Sequence, residues 1–418
     1  MREGRSGGLS QGRREISQLS RSEDFSIRVL SDGHQGIVTA NTLNKENFPA
    51  LCREARDLAL THPADPHIRF SAPPPSPQKG SEIFPIDGNA DLGQIFEELK
   101  RLEEQILGRD RRLKSVVALN FAQEKRKKVL VNNLGLAVEG REGISALSAE
   151  VLAEEGPRTE VAWEGAEVRF KKDLPCEEIV DEVVDRALSY LGARPLDSGN
   201  YVALIHPRVG AQFLELIAEA LSAEAVQNGR SFFEGRRQKK IAPQFVNLVD
   251  DPFLPEGVAS ALYDDEGVPT QKLSLLEEGV LEDYFFDLRS ASRSGRESNG
   301  RGFRSKLSSL PTPSPTNLYL QGGSVSGDQM LSSEKKIFYL WDVMGLHMVD
   351  SATGEFSLGA AGALYEGGRV AHAVTGVTIS GDFLDVLENI VSLGREVKWY
   401  GPYGAPHILV SKLAVGGA

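Results

Sequence analysis

Zinc-dependent hydrolysis asks for about three protein ligands on a rigid frame, with one coordination position left open for water. The seven histidines, His34, His62, His67, His206, His347, His372 and His407, are the first candidates. No two stand at helical spacing around a glutamate, the usual sequence form of such a frame. His62 and His67 are five apart, but Pro63 and Pro66 between them assign both to a loop. The Gly-x-Ser-x-Gly elbow, the phosphate loop and the dinucleotide fingerprint are all missing. Cys52 and Cys176 have no evident histidine partner that would make either a thiolate nucleophile. The acidic pairs Asp250/Asp251 and Asp264/Asp265 stand beside Pro252 and Gly267, a setting for turn and capping roles. Chemistry alone therefore stops at a two-domain α+β protein.

The frame that must carry any site is long. At 418 residues, two domains are expected. A hydrophobic share of 40% and a charged share of 25% are those of a globular chain, and no apolar run approaches the roughly 18 residues that span a bilayer. The N-terminus lacks the apolar core of a secretory signal and two separated cysteines make no disulfide framework, so a cytoplasmic location is expected. A net charge of −12 repels phosphate backbones, and nucleic-acid binding is not expected. The basic run Lys125–Lys128 reads as an exposed turn or strand edge, where lysines discourage aggregation.

Residues 1–22 carry no apolar periodicity and are expected to be a disordered tail. Alternating Phe25, Ile27 and Val29, then Asp32-Gly33 and Gly36-Ile37-Val38, predict a hairpin, followed by a helix to Leu60. A Pro/Ser-rich loop over 71–83 leads to an amphipathic helix over 92–107, then short strands at 114–121, 128–133, 135–140, 147–154 and 159–170, and a helix over 176–192. These define an N-terminal α+β domain, a sheet with helices, over 23–192. The stretch 192–199 is the boundary. Beyond it, 198–418 reads as a strand-rich domain: a strand to Ile205, a helix over 208–225, glycine-punctuated strands, a Pro/Ser loop over 305–316 and a late helix over 381–393.

Ordered segments of this second half resemble the TldD/PmbA metallopeptidase family, in its PmbA (TldE) branch. They include Leu221–Phe232, Leu248–Pro252, Asp264–Thr270, Leu276–Leu281, Asn317–Leu320, Thr353–Gly359, Val377–Leu387 and Ala405–Gly416. The first half matches through Asp32-Gly33, Asp65-Pro66 and Asn132–Gly135, and lacks the helix and strand with which the family usually opens. Catalytic TldD-type members carry a His-Glu-x-x-x-His helix and a cysteine near the C-terminus. The resemblance places that helix on Leu214–Glu219, where Leu214 and Glu219 stand at the histidine positions and Glu215 at the glutamate; Tyr400–Gly404 corresponds to the cysteine region and has none.

The resemblance thus implies a chain without catalytic or metal-binding residues of its own, and Glu215 reads as a helix-surface carboxylate. It implies a heterodimer with a TldD-type subunit that supplies the zinc, or a homodimer, acting on unfolded or leader-type peptides. The loop Leu310–Asn317, with Pro311, Pro313, Pro315, Thr316 and Asn317, is a candidate for pairing with an extended peptide. Two alternatives stay open: a homodimeric peptide-binding scaffold without protease activity, and a stand-alone hydrolase using His206 or His347 with Glu219.

Overall fold

The structure, a computed structural model, describes residues 1–74 and 84–417. Of the proline-rich stretch 71–83, residues 75–83 therefore lie outside the described residues. The architecture is α+β, with helices and sheets segregated as expected.

The N-terminal residues correct the expectation of a disordered tail. Strands β1 (Arg2–Ser10) and β2 (Arg13–Ser22) form an antiparallel hairpin, and β1 pairs along β5 (Leu113–Val131). Apolar periodicity misses it because main-chain pairing, rather than a side-chain stripe, holds it: Leu9 is buried, and a Cβ on Gly7 would already touch Ile95 and Phe96. Next comes a separate two-stranded sheet, β3 (Phe25–Ser31) and β4 (His34–Ala40), turned by Asp32 and Gly33 at positive φ and covered by α1 (Phe48–Ala59).

Helix α2 (Leu92–Arg109) starts where the Asp91 carboxylate accepts the Gln94 N–H at 2.9 Å, and it buries Ile95, Phe96, Leu99 and Ile106. The five short strands expected after it are three long ones, β5, β6 (Ala137–Glu155) and β7 (Arg158–Val168), in a sheet of order β2-β1-β5-β6-β7. Helix α3 (Cys176–Leu191) packs on this sheet beside α2 and buries Ile179, Val180, Val183 and Val184. The basic run lies inside β5 rather than in a turn. Arg126 is flanked by β1 and β6, and carboxylates neutralise the charges: Lys127 meets Glu139 at 3.0 Å and Lys128 meets Glu142 at 2.6 Å.

The second half opens with β8 (Gly199–Ile205) and α4 (Pro207–Ala220), after which Ser222 caps a separate short helix, α5 (Ala223–Gln227), where one continuous helix was expected. There follow β9 (Leu248–Asp250), β10 (Leu273–Glu277), β11 (Val280–Leu281), α6 (Leu288–Arg293), β12 (Gly302–Phe303), β13 (Thr312–Pro313), β14 (Leu318–Leu320) and α7 (Gly327–Leu331). The chain then forms β15 (Lys336–Met344), β16 (Glu355–Glu366) and β17 (Arg369–Asp382). The last elements are α8 (Phe383–Glu388), β18 (Ile390–Leu393), β19 (Lys398–Tyr400), β20 (Tyr403–Ala405) and β21 (Ile408–Gly416). The late helix is thus half its expected length: Asp382 caps it, and the β-branched Ile390-Val391 leave it to pair with β21.

One sheet runs β17-β16-β15-β8-β21, and β17 also pairs with β21, which closes the five strands into a barrel. The second sheet, β11-β10-β9-β14-β20-β19, shares with it a single large core that includes Phe213, Leu214, Phe285, Phe338 and Phe383.

Candidate functional site

Helix α4 begins where the His206 ring nitrogen Nδ1 accepts the Arg208 N–H at 3.2 Å, with Pro207 in the first turn. One face of α4 enters the core through Val209, Phe213, Leu214 and Ile217. It lies so close to β20 that a Cβ on Gly210 would come within 2.9 Å of the Ala405 Cβ. The other face carries Glu215 and Glu219, one turn apart and exposed. They border a cleft of about 310 Å³ lined also by Gln212, Leu216, Phe232, Leu346, His347, Val349 and Ser351.

Two like charges on one face disfavour ionisation, and the Glu215 carboxyl is pushed up, first by burial and then by Glu219. Tyr403 sits within reach of the same pair: burial and then the charges of Glu215 and Glu219 raise its phenol. The fold therefore joins the segments 214–219 and 400–404, far apart in sequence, at one place.

Their donor set does not fit zinc. Leu214 has no lone pair and is 1% exposed, pointing into the core rather than the cleft. What remains is two carboxylates, a phenol and the exposed His347, and among the described residues no three His, Cys, Asp or Glu side chains come together as a metal site. His347 and Glu219 do line one cleft, whereas His206 is not among its lining residues. His206 instead faces His407, with ring centroids 5.7 Å apart, and Tyr339, whose hydroxyl lies 3.0 Å from His407 Nε2. Burial and then Arg186 push the His206 imidazole well down; burial and then Lys398 bring His407 to about 4. Both are neutral near pH 7.

These imidazoles border a charge network that residue spacing does not announce beyond the helical pair Glu182/Arg186. Arg186 on α3 meets Glu164 on β7 at 2.6 Å and Glu182 at 2.6 Å; Arg208 on α4 reaches Glu164 at 3.4 Å, and Lys398 on β19 reaches Glu182 at 3.3 Å and also bonds Glu178. The network therefore clamps the sheet β2-β1-β5-β6-β7 and its helices to α4.

The residues expected to contact peptide are mostly engaged within the fold. Pro311 and Pro313 are buried, and β13 pairs with β12. Thr316 donates its N–H and its hydroxyl to Asp250 at 2.8 and 2.9 Å, while Asn317 Nδ2 donates to Asp251 O at 2.8 Å and to Ser260 Oγ at 2.9 Å. Asp250 also holds Arg301 in a fully buried ion pair. Side chains so engaged are structural anchors, and only Pro315 of the five keeps partial exposure. Of the acidic pairs, Asp264 is a turn group as expected, accepting the N–H groups of Glu266, Val268 and Gly302, each at 2.9 Å, and Asp251 accepts the Phe253 N–H at 3.0 Å, whereas Asp250 ends β9 in its buried ion pair.

Fold and site together define an α+β protein in which a helix, packed on a sheet beside a closed five-stranded barrel, carries a carboxylate-lined cleft. The chain belongs to the PmbA/TldD metallopeptidase family. Sequence profiles of the PmbA/TldA metallopeptidase domain 1, central domain and C-terminal domain match residues 2–59, 87–191 and 198–417. Relatives include the metalloprotease PmbA of Escherichia coli, 24% identical over 400 residues that cover 94% of this chain and 85% of the relative. Another is a metalloprotease of Archaeoglobus fulgidus, 28% identical over 402 residues, 94% of this chain and 89% of the relative. Among solved structures, a Thermotoga maritima protein described as a candidate modulator of a DNA gyrase matches with TM-score 0.90 and 28% identity over 99% of this chain and 94% of its own. TldE from Thermococcus kodakarensis has the same fold, with TM-score 0.89 and 20% identity over 100% of this chain and 95% of its own. Among the described residues no helix is long and apolar enough to cross a membrane.

Proposed function

We propose that this chain is the PmbA/TldE-type subunit of a cytoplasmic two-chain metallopeptidase acting on unfolded or leader-type peptides. It has no zinc site of its own; the TldD-type partner supplies the metal, and this chain supplies cavity wall. The observation that carries the reading is the side chain of Leu214. The resemblance sets it at a ligand position of the family's zinc helix, whereas here it is buried in the core and the cleft beside it is lined by Glu215 and Glu219. A water with no metal beside it keeps its high pKa, so cleavage has to come from elsewhere.

The test is metal content and activity of the chain alone and mixed with a homologue bearing an intact His-Glu-x-x-x-His helix. Alone, the chain is expected to hold well under one equivalent of zinc and to cleave no unfolded peptide; mixed, the pair is expected to form a stable heterodimer with chelator-sensitive activity. Stoichiometric zinc and chelator-sensitive cleavage by the chain alone would refute the proposal and favour ligation by His347 and Glu219.

A further inference from the structure

A second cleft, of about 850 Å³, lies between β4, the loop after α1, and α6. Its walls include Gln35, Gly36 and Ile37 of β4 on one side and Arg289 and Arg293 of α6 on the other, with Leu58, Ile68 and Leu310 as apolar surface.

Among the described residues the sheet β3-β4 has two strands, and β4 pairs on one side alone. Its register fixes which groups are left over. Asp32 and Gly33 form a two-residue turn between paired Ser31 and His34, and hydrogen-bonded pairs in an antiparallel ladder then alternate as Ser31/His34, Val29/Gly36 and Ile27/Val38. Gln35, Ile37 and Thr39 therefore point their N–H and C=O groups away from β3, and the first two belong to the cleft wall. An open edge of this kind is a template for another strand.

The opposite wall is fixed in place. Asp65 donates its N–H to Gly33 O at 2.7 Å, and its carboxylate holds Arg289 Nε at 2.7 Å and Arg293 Nη2 at 2.8 Å. Arg289 Nη1 is also paired with Glu224 at 3.5 Å, so of the two guanidinium groups it is Arg293 that the lining offers to a further carboxylate. Arg293 engages Asp65 through Nη2, so its other N–H groups remain to fork a second carboxylate.

We propose that this cleft binds an extended, acidic peptide segment as a third strand on β4, with main-chain bonds to Gln35 and Ile37 and a carboxylate side chain on Arg293. Main-chain pairing supplies affinity without regard to sequence, while alternate side chains meet the apolar wall and the arginines. The site deepens the peptide-handling part of the proposed function. Because it is read on this chain alone, without partner or zinc, its failure and the failure of the subunit reading are separate results.

The test uses the full chain and a fluorescein-labelled peptide of alternating valine and aspartate, followed by anisotropy. Saturable binding is expected, weakened at least tenfold when the backbone amides of the probe's central residues are N-methylated. Ile37→Pro, which removes an outward N–H and no ladder bond, is expected to weaken binding by a similar factor with an unchanged circular dichroism spectrum. Arg293→Gln is expected to abolish the preference for this probe over its asparagine counterpart. Equal binding of the N-methylated and unmodified probes by the wild-type chain, or no saturable binding of the unmodified probe, would overturn the proposal.

Discussion

Replacing Arg186 by methionine tests whether the buried charge network holds α3 to α4. The Arg186 side chain is 6% exposed and that of Glu164 4%, with 2.6 Å contacts to Glu164 and to Glu182. At an effective dielectric of about 20, charges ~4 Å apart attract by on the order of 4 kcal/mol each before desolvation. Methionine recovers the packing of the stem but leaves two carboxyls facing each other with only the longer contacts to Arg208 at 3.4 Å and Lys398 at 3.3 Å. Breaking a buried pair from one side typically costs about 3–5 kcal/mol, and that loss is expected in urea unfolding near pH 8. The loss has a pH signature. Burial, and then Glu164, already raise the Glu182 carboxyl, and losing Arg186 raises it further. A carboxyl raised in the folded state supports folding below its unfolded value of about 4.3 and withdraws that support as pH climbs through the folded value. Arg186→Met is therefore expected to cost less at pH 5 than at pH 8, and Glu164→Gln in the same chain should restore part of the loss. A cost under about 1 kcal/mol at pH 8, or one independent of pH, would show that the network does not carry the interface.

Glu266 is raised to about 7 by burial and then by Asp287, so wild-type stability should decline between about pH 4.5 and 7 from this group, and Glu266→Gln should flatten that part of the profile in thermal melts from pH 4.5 to 8. Gly36→Ala would place a Cβ 2.0 Å from Ala55 O and 2.6 Å from Ala59 N, so α1 must shift; a destabilisation of about 3 kcal/mol is expected, seen as early proteolytic cleavage within residues 34–60. Thr316→Val should cost about 1–3 kcal/mol by leaving Asp250 short of a donor, without weakening the peptide probe. Leu214→His with Glu219→His should yield no zinc-dependent activity in the chain alone, since position 214 faces the core and the orienting groups around a ligand are missing; stoichiometric zinc binding by this variant would refute that placement.

The sequence by itself determined the elements whose signal is local. Turn chemistry at Asp32-Gly33 and the apolar stripe of α2 need only neighbouring residues to be read. Tertiary structure decided the rest. The hairpin Arg2–Ser22 has almost no apolar side chain to announce it and exists because β5 offers it an edge. Apolar alternation is no guide to the basic run either, since Lys125–Lys128 continue a strand through pairing with β6 and, at Lys125 and Arg126, with β1. By composition Pro311–Asn317 is a free loop, yet the buried carboxylate of Asp250, more than 60 residues earlier, takes up Thr316. Glu164, Glu182, Arg186, Arg208 and Lys398 become one network only when four separate segments meet, since charges that neutralise each other across space leave no periodic trace along the chain.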